Sequence, residues 1–228
     1  MLLLTISEFV QPIIVYSQTI HNKYAKTTVN IRSSPNTESQ ICGQFFWNDK
    51  VNVLLRQNKK WYKILYHGKI RYVAAKYLRN SKCKPKIYRS PGANSFKSYE
   101  DSDCITNNVR LSQGRLKQKY HMDYQTGVWM VGDRYCVALG QYYTQKVGIK
   151  IDLVLSDDTG THVLKCVAAD VKAKKDTIDN KIHKDGSIAE FVVKTSLLSK
   201  RTRFTGNISY AGKQFSGKIV KIRVYEEE

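Results

Sequence analysis

The stretch Asn30–Phe45, NIRSSPNTESQICGQF, places an arginine, two serines and a proline directly after an alternating TVNI segment, then turns apolar again. Alternation at period two marks a strand with one buried face, and the Ser-Ser-Pro-Asn run ends it in a loop. The same pattern continues downstream. KVNVLLRQ (Lys50–Gln57) and KWYKILYHGKIRYVAAKYL (Lys60–Leu78) alternate apolar and polar residues, and His67-Gly68 falls between two such runs. A glycine there accepts positive φ at little cost, as a tight hairpin turn requires. The stretch therefore predicts a meander of about five short strands, the way small barrels are built.

Outside this region the composition is that of a folded chain. Of 228 residues, 42% are hydrophobic and 25% charged, which excludes an intrinsically disordered polypeptide and suits two small domains. The formal charge of +19, from 38 Lys+Arg against 19 Asp+Glu, is spread along the chain. It favours polyanionic partners: nucleic acid, an acidic membrane surface or the anionic polymers of a Gram-positive wall. The five cysteines contain no C-x-x-C pair, so no zinc ribbon is indicated, and an odd number leaves no complete disulfide set. Cys136 and Cys166 sit in apolar runs as small buried hydrophobes, and a bridge between Cys83 and Cys104 is one open pairing. The N-terminal MLLLTISEFVQPIIVYS is interrupted by Glu8 and Pro12, has no basic leader and is too short to span a bilayer. It reads as the remnant of a signal peptide or as a first strand.

Residues Ser81–Asp103 hold two of the four prolines and many small polar residues without a sustained period, so the expected organisation is a domain at 24–82, a linker at 83–104 and a second domain at 105–228. In the second domain VRLSQGRLKQKYH (Val109–His121) reads as a helix. RYCVALG (Arg134–Gly140), IKIDLVL (Ile149–Leu155), HVLKCVAAD (His162–Asp170), SIAEFVVK (Ser187–Lys194) and KIVKIRVYE (Lys218–Glu226) read as strands, with a hairpin turn at Ser156–Gly160. The expected fold class is mainly β, a small barrel followed by a second β-dominated domain with little helix.

The order VNIRSSP (Val29–Pro35), Gly43, VNVL (Val51–Leu54), KWYKI (Lys60–Ile64), HGK (His67–Lys69) and RYVAAKYL (Arg71–Leu78) resembles the bacterial SH3-like domain over residues 24–82. That resemblance implies a small barrel acting as a binding module on proteins that work at bacterial cell walls, where it recognises peptidoglycan stem or bridge peptides. It makes Asn30, Arg32, Trp61, Tyr62 and Tyr72 the candidates for a peptide groove. Family members usually have Gly-Tyr before the final valine, where this chain has Arg71-Tyr72.

The runs RYCVALGQYYTQKVGIKIDLVL (Arg134–Leu155), KCVAADVKAKKDT (Lys165–Thr177) and GSIAEFVV (Gly186–Val193) look like the strand order of the double-psi β-barrels found in three-aspartate domains and lytic transglycosylases. The matching parts are Val137-Ala138-Leu139, Gly148, Ile151–Leu155, Asp170 and Glu190. The departures are Leu139-Gly140 in place of a first aspartate, Asp170-Val171-Lys172 in place of D-x-G, and Glu190 in place of a last aspartate. The resemblance implies glycan cleavage by one carboxyl that protonates the leaving oxygen and later takes a proton from the sugar 6-hydroxyl. Asp170 is that candidate, with Glu190 beside it. Independently of any family, a glutamate between Ala189 and Phe191 is costly unless paired, and Lys172 is the natural partner.

Three other classes compete. A cysteine peptidase would need Cys136 activated by His162 or His183, yet RYCVALG reads as a strand interior and activated thiols favour helix N-termini. A metal site would draw on Asp176, Asp179, His183 and Asp185, whose spacing fits no calcium loop. A nucleic-acid binder has the charge and 15 tyrosines but neither a ribonucleoprotein motif nor a recognition-helix pattern. No cofactor is expected, the partner is peptidoglycan or an anionic wall polymer, and the location is extracellular or wall-associated. A wall-binding adaptor without catalysis is the strongest rival.

Overall fold

The computed structural model describes residues 21–92 and 95–226; the apolar N-terminal segment falls outside them. The chain is mainly β and divides into two compact units between Lys82 and Cys83.

In the first unit the strands are β1 (His21–Ala25), β2 (Val29–Arg32), β3 (Ile41–Phe45), β4 (Lys50–Arg56), β5 (Trp61–Tyr66), β6 (Lys69–Ala74) and β7 (Leu78–Arg79). They form one sheet in the order β3-β2-β6-β5-β4-β1-β7. Alternation sorts the residues. Val29, Ile31, Val51, Val53, Ile64 and Val73 are buried together as the core, so Asn30 and Arg32 turn to the opposite face. The β5–β6 hairpin closes through His67 and Gly68, at φ of +48° and +71°. Two consecutive positive φ values match the right-handed twist of the flanking strands, which is why a glycine follows the histidine.

The loop after β2 explains the order of residues in NIRSSPNTESQ. Arg32 Nη1 donates to the Ser39 carbonyl at 2.6 Å, Asn36 Oδ1 accepts from the Ser39 amide at 2.7 Å, and Ser39 Oγ donates to the Ser34 carbonyl at 2.8 Å. The loop is thus tied to itself and to the strand that precedes it.

The second unit contains β8 (Lys86–Arg89), β9 (Ser98–Asp101), α1 (Ser112–Lys117), β10 (His121–Asp123), β11 (Val128–Val131), β12 (Arg134–Gly140), β13 (Lys150–Asp157), β14 (Gly160–Lys172), β15 (Thr177–Ile178), β16 (Ile182–His183), β17 (Ala189–Val193), α2 (Lys200–Thr205) and β18 (Lys218–Tyr225). Its large sheet runs β10-β11-β17-β12-β14-β13-β18-β8, with β9 added to β17; β15 and β16 form a separate hairpin. Two pairings are parallel, β12 with β14 and β17 with β9. One face carries the main core, including Val137, Leu139, Leu153, Phe191, Phe215 and Ile222. The opposite face carries a smaller cluster of Cys136, Val167, Ala169, Val192 and Ile105 under Tyr120 and Trp129.

The expected linker at 83–104 is corrected by this sheet. Lys86–Arg89 pairs with β18 and Ser98–Asp101 pairs with β17, so the segment belongs to the second unit. Its prolines and serines lie between two short strands, and short polar strands have no period long enough to read. The expected helix shrinks to six residues, Ser112–Lys117. All five cysteines are thiols, so Cys83 and Cys104 are not bridged.

Within the same segment Lys97 is fully buried. Its ammonium donates to the carbonyls of Ser95 (2.9 Å) and Gly217 (2.7 Å) and to Ser209 Oγ (2.9 Å). Burial lowers its pKa to about 8 from an ordinary 10.5. Between those values the unfolded chain binds more protons than the folded one, so stability rises with pH. Urea titrations should show a gain of about 2 kcal/mol from roughly pH 7.5 to 9.5. Lys97→Met should flatten that slope; an unchanged slope in the variant would assign it to another group.

Candidate functional site

Two arrangements stand out, one in each unit. In the first, Asn30, Arg32, Thr37, Trp61, Ala74 and Lys76 line a concavity of about 360 Å³. Trp61 pairs in register with Ala74 on the face away from the core, yet it is only 8% exposed because the β2–β3 loop and the rim of Lys59, Lys60 and Lys76 enclose it. A large aromatic floor with a cationic and amide rim suits a polar chain carrying acidic groups. Asn30 Oδ1 accepts from Gln44 Nε2 at 2.8 Å, which fixes the amide at the groove edge.

The expected groove residues separate. Asn30, Arg32 and Trp61 come together. Tyr62, next in the chain, turns to the core side and packs against the apolar cluster, with Lys23 and Arg56 over its ring at 5.0 and 5.8 Å. It lines a different hollow with His21, Leu55 and Asn80. Tyr72 pairs with Arg32 and Lys63 on the outer face but does not line the Trp61 concavity.

In the second unit, Asp170 and Glu190 flank the same residue. Ala138 on β12 pairs with Asp170 on one side and Glu190 on the other, and Glu190 pairs in turn with Ser98. Laterally paired residues share a sheet face, so Asp170, Glu190 and Ser98 form a polar row on the face of the smaller cluster. Lys172, two residues beyond Asp170, reaches over the row. Its ammonium contacts Glu190 and lies 3.6 Å from Glu100. From α1, Gln113 Nε2 donates to Asp170 Oδ1 at 3.4 Å.

The chain after β16 closes the other side. His183 Nδ1 lies 3.0 Å from Asp185 Oδ1, the Ser187 amide donates to Asp185 Oδ1 at 2.7 Å, and the Ser187 and Ser98 hydroxyls share a 2.7 Å hydrogen bond. The β15–β16 turn also comes close enough to β12 to require a glycine there: a Cβ on Gly140 would lie 2.1 Å from the Asn180 carbonyl oxygen. Of the four residues a metal site would have drawn on, Asp176 and Asp179 are not part of the group that gathers among the described residues. Instead His183 and Asp185 come within 4.8 Å of Glu190, where the Lys172 ammonium already supplies the cation.

Electrostatically the centre is dense. Burial raises the Glu100 carboxyl above its ordinary range, opposed by Lys172 and reinforced by the Asp170 charge. At Asp185 burial pulls the same way, but hydrogen bonds from Ser187 and His183 prevail and hold the carboxyl low. Burial and hydrogen bonding thus push the Glu100 and Asp185 carboxyls in opposite directions. Cys136 is fully buried in β12 and its thiol is pushed up by desolvation, the opposite of an activated nucleophile. His162 Nε2 lies 3.1 Å from the Gln214 carbonyl oxygen, five positions along β14 from the Val167 that faces Cys136.

Sequence reasoning singled out Asp170 and Glu190 but missed Glu100 and Ser98. The signal was present in SYED (Ser98–Asp101), where alternate residues share a side, but Tyr99 alone is too little apolar pattern to mark a strand.

Comparison with known proteins agrees for the first unit. Residues 27–79 match the family described as Bacterial SH3 domain. No curated protein matches the chain. Among solved structures, NlpC2 from Trichomonas vaginalis is similar at 16% identity over 78% of this chain and 69% of its own, with a TM-score of 0.25, a level that supports no inference about fold or activity.

Proposed function

We propose that this protein works at the bacterial cell wall, binding peptidoglycan through the Trp61 groove of its SH3 domain. The observation that carries the reading is the bacterial SH3 match at residues 27–79, together with the enclosed tryptophan between Arg32 and Lys76. Bacterial SH3 domains generally bind wall peptidoglycan, and they are typical of extracellular or wall-associated proteins. Full-length protein should sediment with purified Gram-positive sacculi. Trp61→Ala should weaken that binding by at least about tenfold, since an aromatic anchor dominates such pockets, and Lys76→Ala by about twofold as a rim charge. Circular dichroism checks that Trp61→Ala remains folded. Binding by both variants at the parent level would overturn the groove. Retention on heparin with no sedimentation would favour nucleic acid as the partner.

A second reading, that the other unit cleaves glycan strands as a lytic transglycosylase, is favoured by the Asp170–Ala138–Glu190 row and the raised Glu100 carboxyl. In that chemistry Asp170 protonates the leaving oxygen and then takes the 6-hydroxyl proton, while Lys172 and Glu190 set its field. Incubation with sacculi followed by mass analysis separates the possibilities. Anhydro-sugar ends support cleavage; binding without soluble products supports a wall-binding adaptor.

A further inference from the structure

Between Glu190 and Glu226 the chain carries eight lysines and arginines and no acidic residue. At the centre of that stretch is α2, one short helix held rigidly at both ends. Ser199 Oγ accepts from the Thr202 amide at 3.1 Å, Thr202 is fully buried, and Gly206 ends the helix at φ +65°. This anchoring turns Phe204 outward, where it is 92% exposed. Residues three and four apart share a helix face, so Lys200 and Arg201 lie one turn from the ring. The Arg201 guanidinium stacks 4.0 Å from the Tyr210 ring, and Tyr210 is itself 43% exposed.

We propose that this aromatic tip with its basic collar is a docking site for an anionic phospholipid surface. A polyanion without aromatic bases would be served by the lysines and arginines alone and leaves Phe204 in water. An anionic bilayer answers both halves of the patch, with headgroups facing Lys200, Arg201 and Arg203 and the acyl boundary receiving the ring. The site lies on a different unit from the Trp61 groove and does not rest on the wall-binding reading.

The test uses the full chain and vesicles of phosphatidylcholine with or without phosphatidylglycerol. The protein should sediment with the anionic vesicles, not with the neutral ones. Phe204→Ala should reduce the partition coefficient at least about tenfold, because the ring's transfer from water is lost while the charge is kept. Phe204→Trp should restore binding, and its emission should shift to the blue on mixing. Heparin retention should be the same for parent and Phe204→Ala. Absence of vesicle binding by the parent, or equal partition of parent and Phe204→Ala, overturns the proposal. So does a Phe204→Ala variant that loses heparin or single-stranded DNA as strongly as vesicles, because the ring would then be stacking on a soluble polyanion.

Discussion

Asp152→Ala is expected to destabilise the second unit by about 3–5 kcal/mol, because it removes the anionic partner at 2.9 Å from a buried guanidinium. Arg134 on β12 and Asp152 on β13 are 6% and 7% exposed, on strands that flank β14. Arg134 Nη1 donates to Asp152 Oδ1 at 2.9 Å, to the Ile151 carbonyl at 3.1 Å and to the Cys166 carbonyl at 3.0 Å. The Tyr225 hydroxyl donates to Asp152 Oδ2 at 2.6 Å, and burial raises its pKa above the ordinary tyrosine range. Removing the carboxylate takes away the anionic acceptor that Arg134 Nη1 reaches at 2.9 Å. Thermal melting should show a midpoint lower by roughly 10 °C. The double replacement Arg134→Met with Asp152→Leu should recover much of the loss, since no charge is then left alone. A loss below about 1 kcal/mol for Asp152→Ala would show that water reaches the pair.

If the second unit cleaves glycan as proposed, Asp170→Asn should abolish release of soluble fragments from sacculi, lowering the rate at least about a hundredfold, while folding and sedimentation persist. The amide keeps the shape and the Gln113 contact at 3.4 Å but cannot exchange a proton. Glu190→Gln should act by a different route, since it removes the counter-charge of Lys172 and leaves that ammonium facing Glu100 alone. The expected result is a partial loss of activity, because the substitution alters a neighbouring charge and keeps the acid itself. Unfolding by Asp170→Asn would make the carboxyl a structural hub. Full activity in the variant would end the acid–base mechanism.

The strands that form the two cores were legible because their patterns are local. RYCVALG is β12 residue for residue, His67-Gly68 is the β5–β6 turn, and Asp157 and Gly160 pair across the β13–β14 hairpin as its polar run suggests. What escaped depends on partners distant in sequence. Lys97 is buried against Ser209 and Gly217, and Glu100 meets Lys172 only because β9 is added beside β17. Tyr62 is a different kind of miss. Consecutive strand residues point to opposite faces, so Trp61 and Tyr62 could not share a groove, and the sequence already contained that exclusion.

The strands on either side of Pro91 also decide where this protein can be cut and rejoined. β8 pairs with the last strand of the second unit and β9 with β17, while Lys97 is sealed inside. A gene fragment opening at Ile105 would strip two strands and a buried cation from the sheet it was meant to deliver. The portable module begins at Cys83, so fusions, domain exchanges and tags that respect the Lys82–Cys83 junction carry the carboxylate row with its Glu100 and Ser98 members attached.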